Sequence, residues 1–211
     1  MSVTVIPHWG AWLIGLLVLL GLLLLDLAHH GLVARFDDWA FAKMPHQPDN
    51  RFWNLVAWVG EPWAVVVYVL ILTVALLVIH EEQAAAWVLW TLGIGNVLGI
   101  ITKKTLKRER PGAHLEHDDG YSFPSGHVLG GTTLYLMVVE LWPIWPVIVI
   151  GGVAWLLVAS SRIILRAHHV SDVAGTVLFA GAWFIISTLL YQTNFLTKTS
   201  ARANFLLGAR F

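Results

Sequence analysis

Ala84-Ala85-Ala86-Trp87-Val88-Leu89-Trp90-Thr91-Leu92-Gly93-Ile94-Gly95-Asn96-Val97-Leu98-Gly99-Ile100-Ile101 carries no charged side chain, and Thr102 then leads into Lys103-Lys104-Thr105-Leu106-Lys107-Arg108-Glu109-Arg110-Pro111. Crossing about 30 Å of hydrocarbon takes roughly 20 helical residues, and within it every backbone N–H and C=O must find its partner inside the helix. The stretch therefore reads as a membrane span with a cationic end. Five further apolar stretches lie around it: Trp9–Leu25, Trp63–Ile79, Val128–Leu141, Trp142–Ser160 and Val173–Leu190. Val128–Leu141 is the weakest, being short, ending on Glu140-Leu141 and parted from its successor only by Trp142-Pro143-Ile144-Trp145-Pro146; a re-entrant helix is its alternative. Trp9, Trp63, Trp142 and Tyr191 stand at span ends, where interfacial aromatics are favoured.

Composition agrees. Of 211 residues, 57% are hydrophobic and 12% charged, with 13 Lys plus Arg against 13 Asp plus Glu, whereas a soluble domain averages about 45–50% apolar and about 25% charged. A disordered chain, a nucleic-acid binder held by bulk positive charge and most water-soluble enzymes are excluded. The absence of Cys removes disulfides, Cys-ligated zinc, iron–sulfur clusters and a thiol nucleophile. The expected architecture is all-α, a polytopic bundle of six transmembrane helices forming one integral-membrane domain over residues 1–211. No Lys or Arg precedes Arg35, and the first apolar run exceeds a usual signal-peptide core, so it reads as a retained anchor. Arg35–Pro62 mixes Phe36, Trp39, Phe41, Phe52, Trp53 and Trp58 with charges and reads as one or two amphipathic helices on the membrane surface, broken at Pro45 and Pro48.

Six spans put the first, third and fifth connections on one face, and the polar residues are concentrated there in three clusters. Lys103 and Arg110, seven apart, come to one side of a helix that stops at Pro111; taken alone the run reads as a polybasic anchor for anionic head groups, and more sharply as two cations converging on a phosphate. Phe123-Pro124-Ser125-Gly126-His127 precedes the fourth span, where Ser125 can cap the helix, Gly126 admits a ligand to the backbone and free N–H groups face an anion. His127 is expected in the first turn at the membrane surface, and a plain cap and turn is the bland alternative. Ser161-Arg162 is followed by His168 and Asp172, whose spacing of four lets the carboxylate hold one imidazole nitrogen while the other points outward.

Lys103-x6-Arg110-Pro111, Pro124-Ser125-Gly126-His127 and Ser161-Arg162-x5-His168-x3-Asp172 together resemble the three-part signature of the type 2 phosphatidic acid phosphatases, membrane lipid phosphatases related to vanadium haloperoxidases and bacterial acid phosphatases. The signature covers residues 103–172 and selects Lys103 over Lys104 and His168 over His169, which spacing leaves open. The resemblance implies a phosphatase/haloperoxidase-like helical core and a phosphatase using neither metal nor other cofactor. It makes His168 the nucleophile that forms a phosphohistidine, Asp172 its orienting group, and His127 the acid and then the base. Lys103, Arg110, Ser125, Gly126 and Arg162 become the phosphate ligands. The implied substrate is a lipid phosphate in the bilayer, among them undecaprenyl diphosphate, phosphatidylglycerophosphate and phosphatidic acid; lipid phosphotransfer through the same intermediate and a non-enzymatic lipid-binding scaffold are the alternatives. No nucleic-acid partner is expected, and the oligomeric state is left open.

His114-x-Glu116-His117-Asp118-Asp119 concentrates metal-type ligands but lacks fixed spacing, and reads as a solvated rim. Gly95-x3-Gly99 and Gly126-x3-Gly130 read as packing seams. Arg166, four after Arg162, reads as solvated or touching head groups. Ten of the thirteen Lys and Arg fall on the site face, which the positive-inside rule would place in the cytoplasm; the resemblance implies a multi-pass protein of the cell membrane with an extracytoplasmic site, and that orientation is the one expected here.

Overall fold

The computed structural model describes residues 8–44, 47, 50–111 and 120–208, with backbone alone from 193 onward. Its helices are α1 (Trp9–Ala28), α2 (Leu32–Lys43), α3 (Arg51–Val59), α4 (Pro62–Val78), α5 (Glu82–Leu106), α6 (Gly126–Leu141), α7 (Trp145–Ile164) and α8 (Val170–Gly208). Among the described residues the only β-type pairing is an isolated antiparallel bridge between Glu109 and Tyr121. The expected apolar stretches become α1, α4, α5, α6, α7 and the first part of α8. Their lengths differ from six uniform spans. α1, α5, α7 and Val170–Gln192 are long and apolar enough to cross alone, and α3 with α4, bent by 45° at the break between them, makes a fifth if counted as one span. α6 has only 16 residues. It packs against α4, α5, α7 and α8, so protein rather than lipid surrounds much of its short backbone.

α5, α6 and α8 form the centre, with α4, α7 and α1 packed around them. Small residues set the spacing. A Cβ on Gly99 would fall 2.5 Å from Leu129 Cδ2, one on Gly95 would lie 3.0 Å from the Trp183 ring, and one on Gly130 would lie 3.3 Å from Val65. Polar side chains supply interhelical bonds where water is excluded, each contributing about 1 kcal/mol or less. Trp183 Nε1 donates to the Thr91 carbonyl at 2.8 Å, Thr91 Oγ1 donates to Ser187 Oγ at 3.2 Å, and Trp155 Nε1 donates to Thr132 Oγ1 at 2.8 Å. The apolar core, including Val69, Leu76, Trp87, Met137, Leu141 and Phe184, fills the half of the bundle away from the 107–125 connection. That leaves the other end for polar groups.

The Arg35–Pro62 stretch contains two helices, α2 and α3; Pro45 and Pro48 lie outside the described residues. α2 is capped from the preceding helix, because Asp26 near the end of α1 accepts from Leu32 N (2.9 Å) and Val33 N (2.7 Å). Gly31 must be glycine for that turn, since a Cβ there would sit 2.1 Å from Asp26 Oδ1. Leu32, Phe36 and Trp39 remain exposed on α2 while Asp37 and Ala40 are buried. α3 is capped by Asn50, whose side chain accepts from Phe52 N and Trp53 N.

Candidate active site

Three returns of the chain assemble the polar end. α5 ends at Leu106 and Lys107 takes a left-handed conformation (φ 48°), so the helix stops before Arg110 and Pro111 and does not carry Lys103 and Arg110 on one side as expected. The 107–125 connection is then closed at its base by the Glu109–Tyr121 bridge and by Ser122 N donating to the Arg108 carbonyl at 2.7 Å. Its His114–Asp119 run lies outside the described residues. α7 ends at Ile164, and both Ala167 N and His168 N donate to the Arg162 carbonyl (3.0 and 3.1 Å), pulling His168 back over the last turn of that helix. α8 opens with a reciprocal cap: Asp172 N donates to the His169 carbonyl at 3.1 Å, and His169 N donates to Asp172 Oδ2 at 2.8 Å.

His168 is 1% exposed. Its Nδ1 lies 2.7 Å from the Ser122 carbonyl oxygen. A carbonyl can only accept, so Nδ1 carries the proton and Nε2 the lone pair. Arg110 Nη1 stands 3.4 Å from Nε2 while donating to the Ala167 carbonyl at 3.0 Å. Burial, followed by the charges of Arg162, Arg110, His127 and Lys103, pushes the His168 pKa well below 6.5. The imidazole is thus neutral, and these four signature side chains all bear on it. The expected direct bond to Asp172 is replaced: His168 Nδ1 and Asp172 Oδ2 are 4.0 Å apart. Asp172 is engaged instead by the His169 N–H and by Arg108 Nη1, because its place in the first helical turn gives it the backbone there as a nearer donor.

Ser125 occupies the N-cap position of α6 but its side chain caps nothing. Its N–H donates to Thr176 Oγ1 (3.0 Å), which itself donates to the Asp172 carbonyl (2.6 Å), tying α6 to α8. The Ser125 hydroxyl is buried and has no hydrogen-bond partner among the described residues. Gly126 lies where a Cβ would come 3.2 Å from Pro62 Cγ, so close packing with α4 adds a reason for glycine. His127 is in the first turn of α6 as expected, and it is buried at 5% exposure. Its Nε2 lies 3.6 Å from Glu61 Oε1, at the break between α3 and α4. Lys103 and Gly126 border a cavity of about 430 Å³ whose other walls include Trp63, Val66, Ile100 and Leu129. Arg162 is buried beside the His168 turn. Arg166 is not simply solvated, since its Nη2 donates to the Phe41 carbonyl at 3.1 Å and its guanidinium lies 5.7 Å from the Phe41 ring centroid.

Sequence reasoning missed Asp37, Glu61, Arg108 and Ser122. The spacing of Asp37, Ala40 and Phe41 marks one face of α2 and could have flagged a buried carboxylate, but not its partner. Ser122 acts through its main-chain carbonyl, which leaves no trace in residue type.

A family model described as the PAP2 superfamily matches residues 84–196. Phosphatidylglycerophosphatase B of Bacillus subtilis (strain 168) is 34% identical over an alignment of 97 residues that covers 41% of this chain and 48% of that protein, so the chain spans about half the length of this curated relative. The crystal structure of the first transmembrane PAP2 type phosphatidylglycerolphosphate phosphatase from Bacillus subtilis superposes with a TM-score of 0.70, covering 86% of this chain and 96% of that one at 22% identity. That likeness shows a shared transmembrane helical fold. The family model spans more than half the chain and takes in the whole signature from Lys103 to Asp172, and on that match the chain belongs to the PAP2 superfamily.

Proposed function

We propose that this chain is a metal-independent lipid phosphatase of the cell membrane, acting on the extracytoplasmic face through a phosphohistidine. The observation that carries the reading is the neutral, buried His168, with its Nε2 lone pair beside Arg110 and under the influence of Arg162, His127 and Lys103. In the first step Nε2 attacks phosphorus, the bond from phosphorus to the lipid oxygen breaks, and protonated His127 gives its proton to the departing oxygen. In the second, water attacks the phosphohistidine, the N–P bond breaks, and His127 takes the water proton, leaving inorganic phosphate and the free enzyme. Lys103, Arg110 and Arg162 offset the charge spread over the phosphoryl oxygens, and the Gly126 N–H and the orphaned Ser125 hydroxyl are donors to them. Asp172 acts indirectly, by fixing the backbone of the His168 turn.

Phosphatidylglycerophosphate is the first substrate to test, since the curated relative is a phosphatidylglycerophosphatase by name; phosphatidic acid and undecaprenyl diphosphate share the phosphate and the apolar tail. Purified protein assayed on all three in the presence of a chelator should release phosphate, and His168→Ala should lose about a thousandfold or more. Chelator-sensitive turnover would overturn the metal-free mechanism, and full activity in His168→Ala the nucleophile. Transfer of the phosphoryl group to an acceptor without release of phosphate would replace hydrolysis by phosphotransfer.

A further inference from the structure

Asp37 belongs to the surface helix α2, outside all three signature clusters, yet it is 1% exposed. A carboxylate so buried requires compensating partners. Its Oδ2 lies 2.9 Å from Arg108 Nη2 and also accepts from the Ser171 hydroxyl, and its Oδ1 accepts from Ser171 N at 3.0 Å. Arg108 Nη1 reaches across to Asp172 Oδ1 and to Ser171 Oγ (2.8 Å). One guanidinium therefore joins a carboxylate from α2 to the signature carboxylate of α8. The main chain of the same residue makes a second connection, since the Arg108 carbonyl accepts from Ser122 N at 2.7 Å and the Ser122 carbonyl holds His168 Nδ1 at 2.7 Å.

We infer that Asp37 and Arg108 are positioning residues for the His168 imidazole, fixing through Ser122 and Asp172 the tautomer that leaves Nε2 free to attack phosphorus. The inference rests on the proposed role of His168 as nucleophile. Asp172 alone does not orient the ring, being 4.0 Å from Nδ1. The direct hold is the Ser122 carbonyl, and its place depends on where Arg108 is anchored. Releasing Arg108 from Asp37 loosens that carbonyl and admits the other tautomer, in which Nε2 carries the proton and has no lone pair to offer. A change of tautomer separates positioning from a general loss of stability.

The test compares the wild-type protein with Asp37→Asn and Arg108→Lys, using ¹⁵N-histidine NMR with His168 assigned by substitution, alongside steady-state kinetics on a lipid phosphate. Arg108→Lys keeps the charge but loses the fork that spans two carboxylates. Asp26→Asn is the control, because it weakens the cap of α2 without touching the relay. Wild-type and Asp26→Asn proteins should show a single His168 tautomer protonated at Nδ1, and the two relay variants a mixture. kcat should fall about tenfold to a hundredfold in the relay variants with KM nearly constant, as small misplacements of reacting groups do. A pure Nδ1–H tautomer with unchanged kcat in Asp37→Asn would overturn the inference, as would Asp26→Asn reproducing the mixture. Should Asp37→Asn fail to fold, the spectrum of Arg108→Lys decides. Absence of phosphate release from every lipid by the wild-type protein would sink the phosphatase reading, and the tautomer comparison would still decide the relay.

Discussion

In the proposed mechanism His168 attacks phosphorus only as a neutral imidazole, so its ionisation would govern the acid side of the reaction. Burial is the largest influence, and the charges of Arg162, Arg110, His127 and Lys103 follow in that order, all disfavouring the imidazolium. The limb of kcat/KM that reports the free enzyme should therefore lie well below pH 6.5. In Arg162→Gln the largest of those charges is gone, and ¹⁵N titration of His168 should move upward toward 6.5, whatever the loss of turnover from a missing phosphate ligand. A wild-type His168 titrating at or above 6.5 would contradict the site as described. Stability carries the same sign: the unfolded chain takes up this proton near 6.5 and the folded chain only lower, so stability present above 6.5 declines as pH falls from there toward the folded value. The eight signature residues were legible in the sequence as candidates, seven through residue-specific side chains and Gly126 through its lack of one, all at the signature's spacing. Ser122 was not, because a carbonyl is common to every residue, and Asp37 was not, because only the docking of α2 brings it to Arg108.

At the level of elements, uncharged stretches located the helices well, since the bilayer forces its backbone to bond to itself. They could not show that α6 is short and enclosed by its neighbours, which follows from how the helices are grouped. Nor could they show the groove between α4, α5 and α6. Trp63, Val66 and Ile100 are exposed on the outer surface and also line the cavity of about 430 Å³ that reaches Lys103 and Gly126. Set in a bilayer, the exposed apolar rim of this groove would face hydrocarbon, and the acyl or prenyl tail of the proposed substrate would lie in it while the phosphate meets the cations. Val66→Trp would fill the groove from α4 without touching a signature residue. Its expected effect is a rise of about tenfold in KM for a long-chain lipid phosphate, equivalent to losing contact with about two buried methylenes. A short, water-soluble phosphate ester should be turned over as before. Equal losses on both substrates would mean that the substitution disturbs the site itself, and no loss on either would place the tail elsewhere.

For the molecule as a whole the question is which way the polar end faces. Charge and resemblance pull in opposite directions. Arg35, Lys43, Arg51, Lys103, Lys104, Lys107, Arg108, Arg110, Arg162 and Arg166 all belong to the site end, against Lys198, Arg202 and Arg210 beyond the last span. Counted plainly, that bias puts the site in the cytoplasm. Half of those cations have a structural reason to be where they are. Arg108 binds Asp37 and Asp172, Arg166 binds Phe41, and the charges of Lys103, Arg110 and Arg162 all act on His168. Three of these are the proposed phosphate ligands and two tie the fold together on whichever side the site works, so they carry little information about orientation. Arg35, Lys43, Arg51, Lys104 and Lys107 remain, against the three at the other end, a margin too small to outweigh the extracytoplasmic site implied by the signature. With the site outside, the C-terminus is inside. A fluorescent protein fused after Phe211 should fluoresce, and an alkaline phosphatase fused there should stay inactive, since the one folds in the cytoplasm and the other only after export. The reverse pattern would place His168 and its cations in the cytoplasm and show that the full count of ten against three governs insertion.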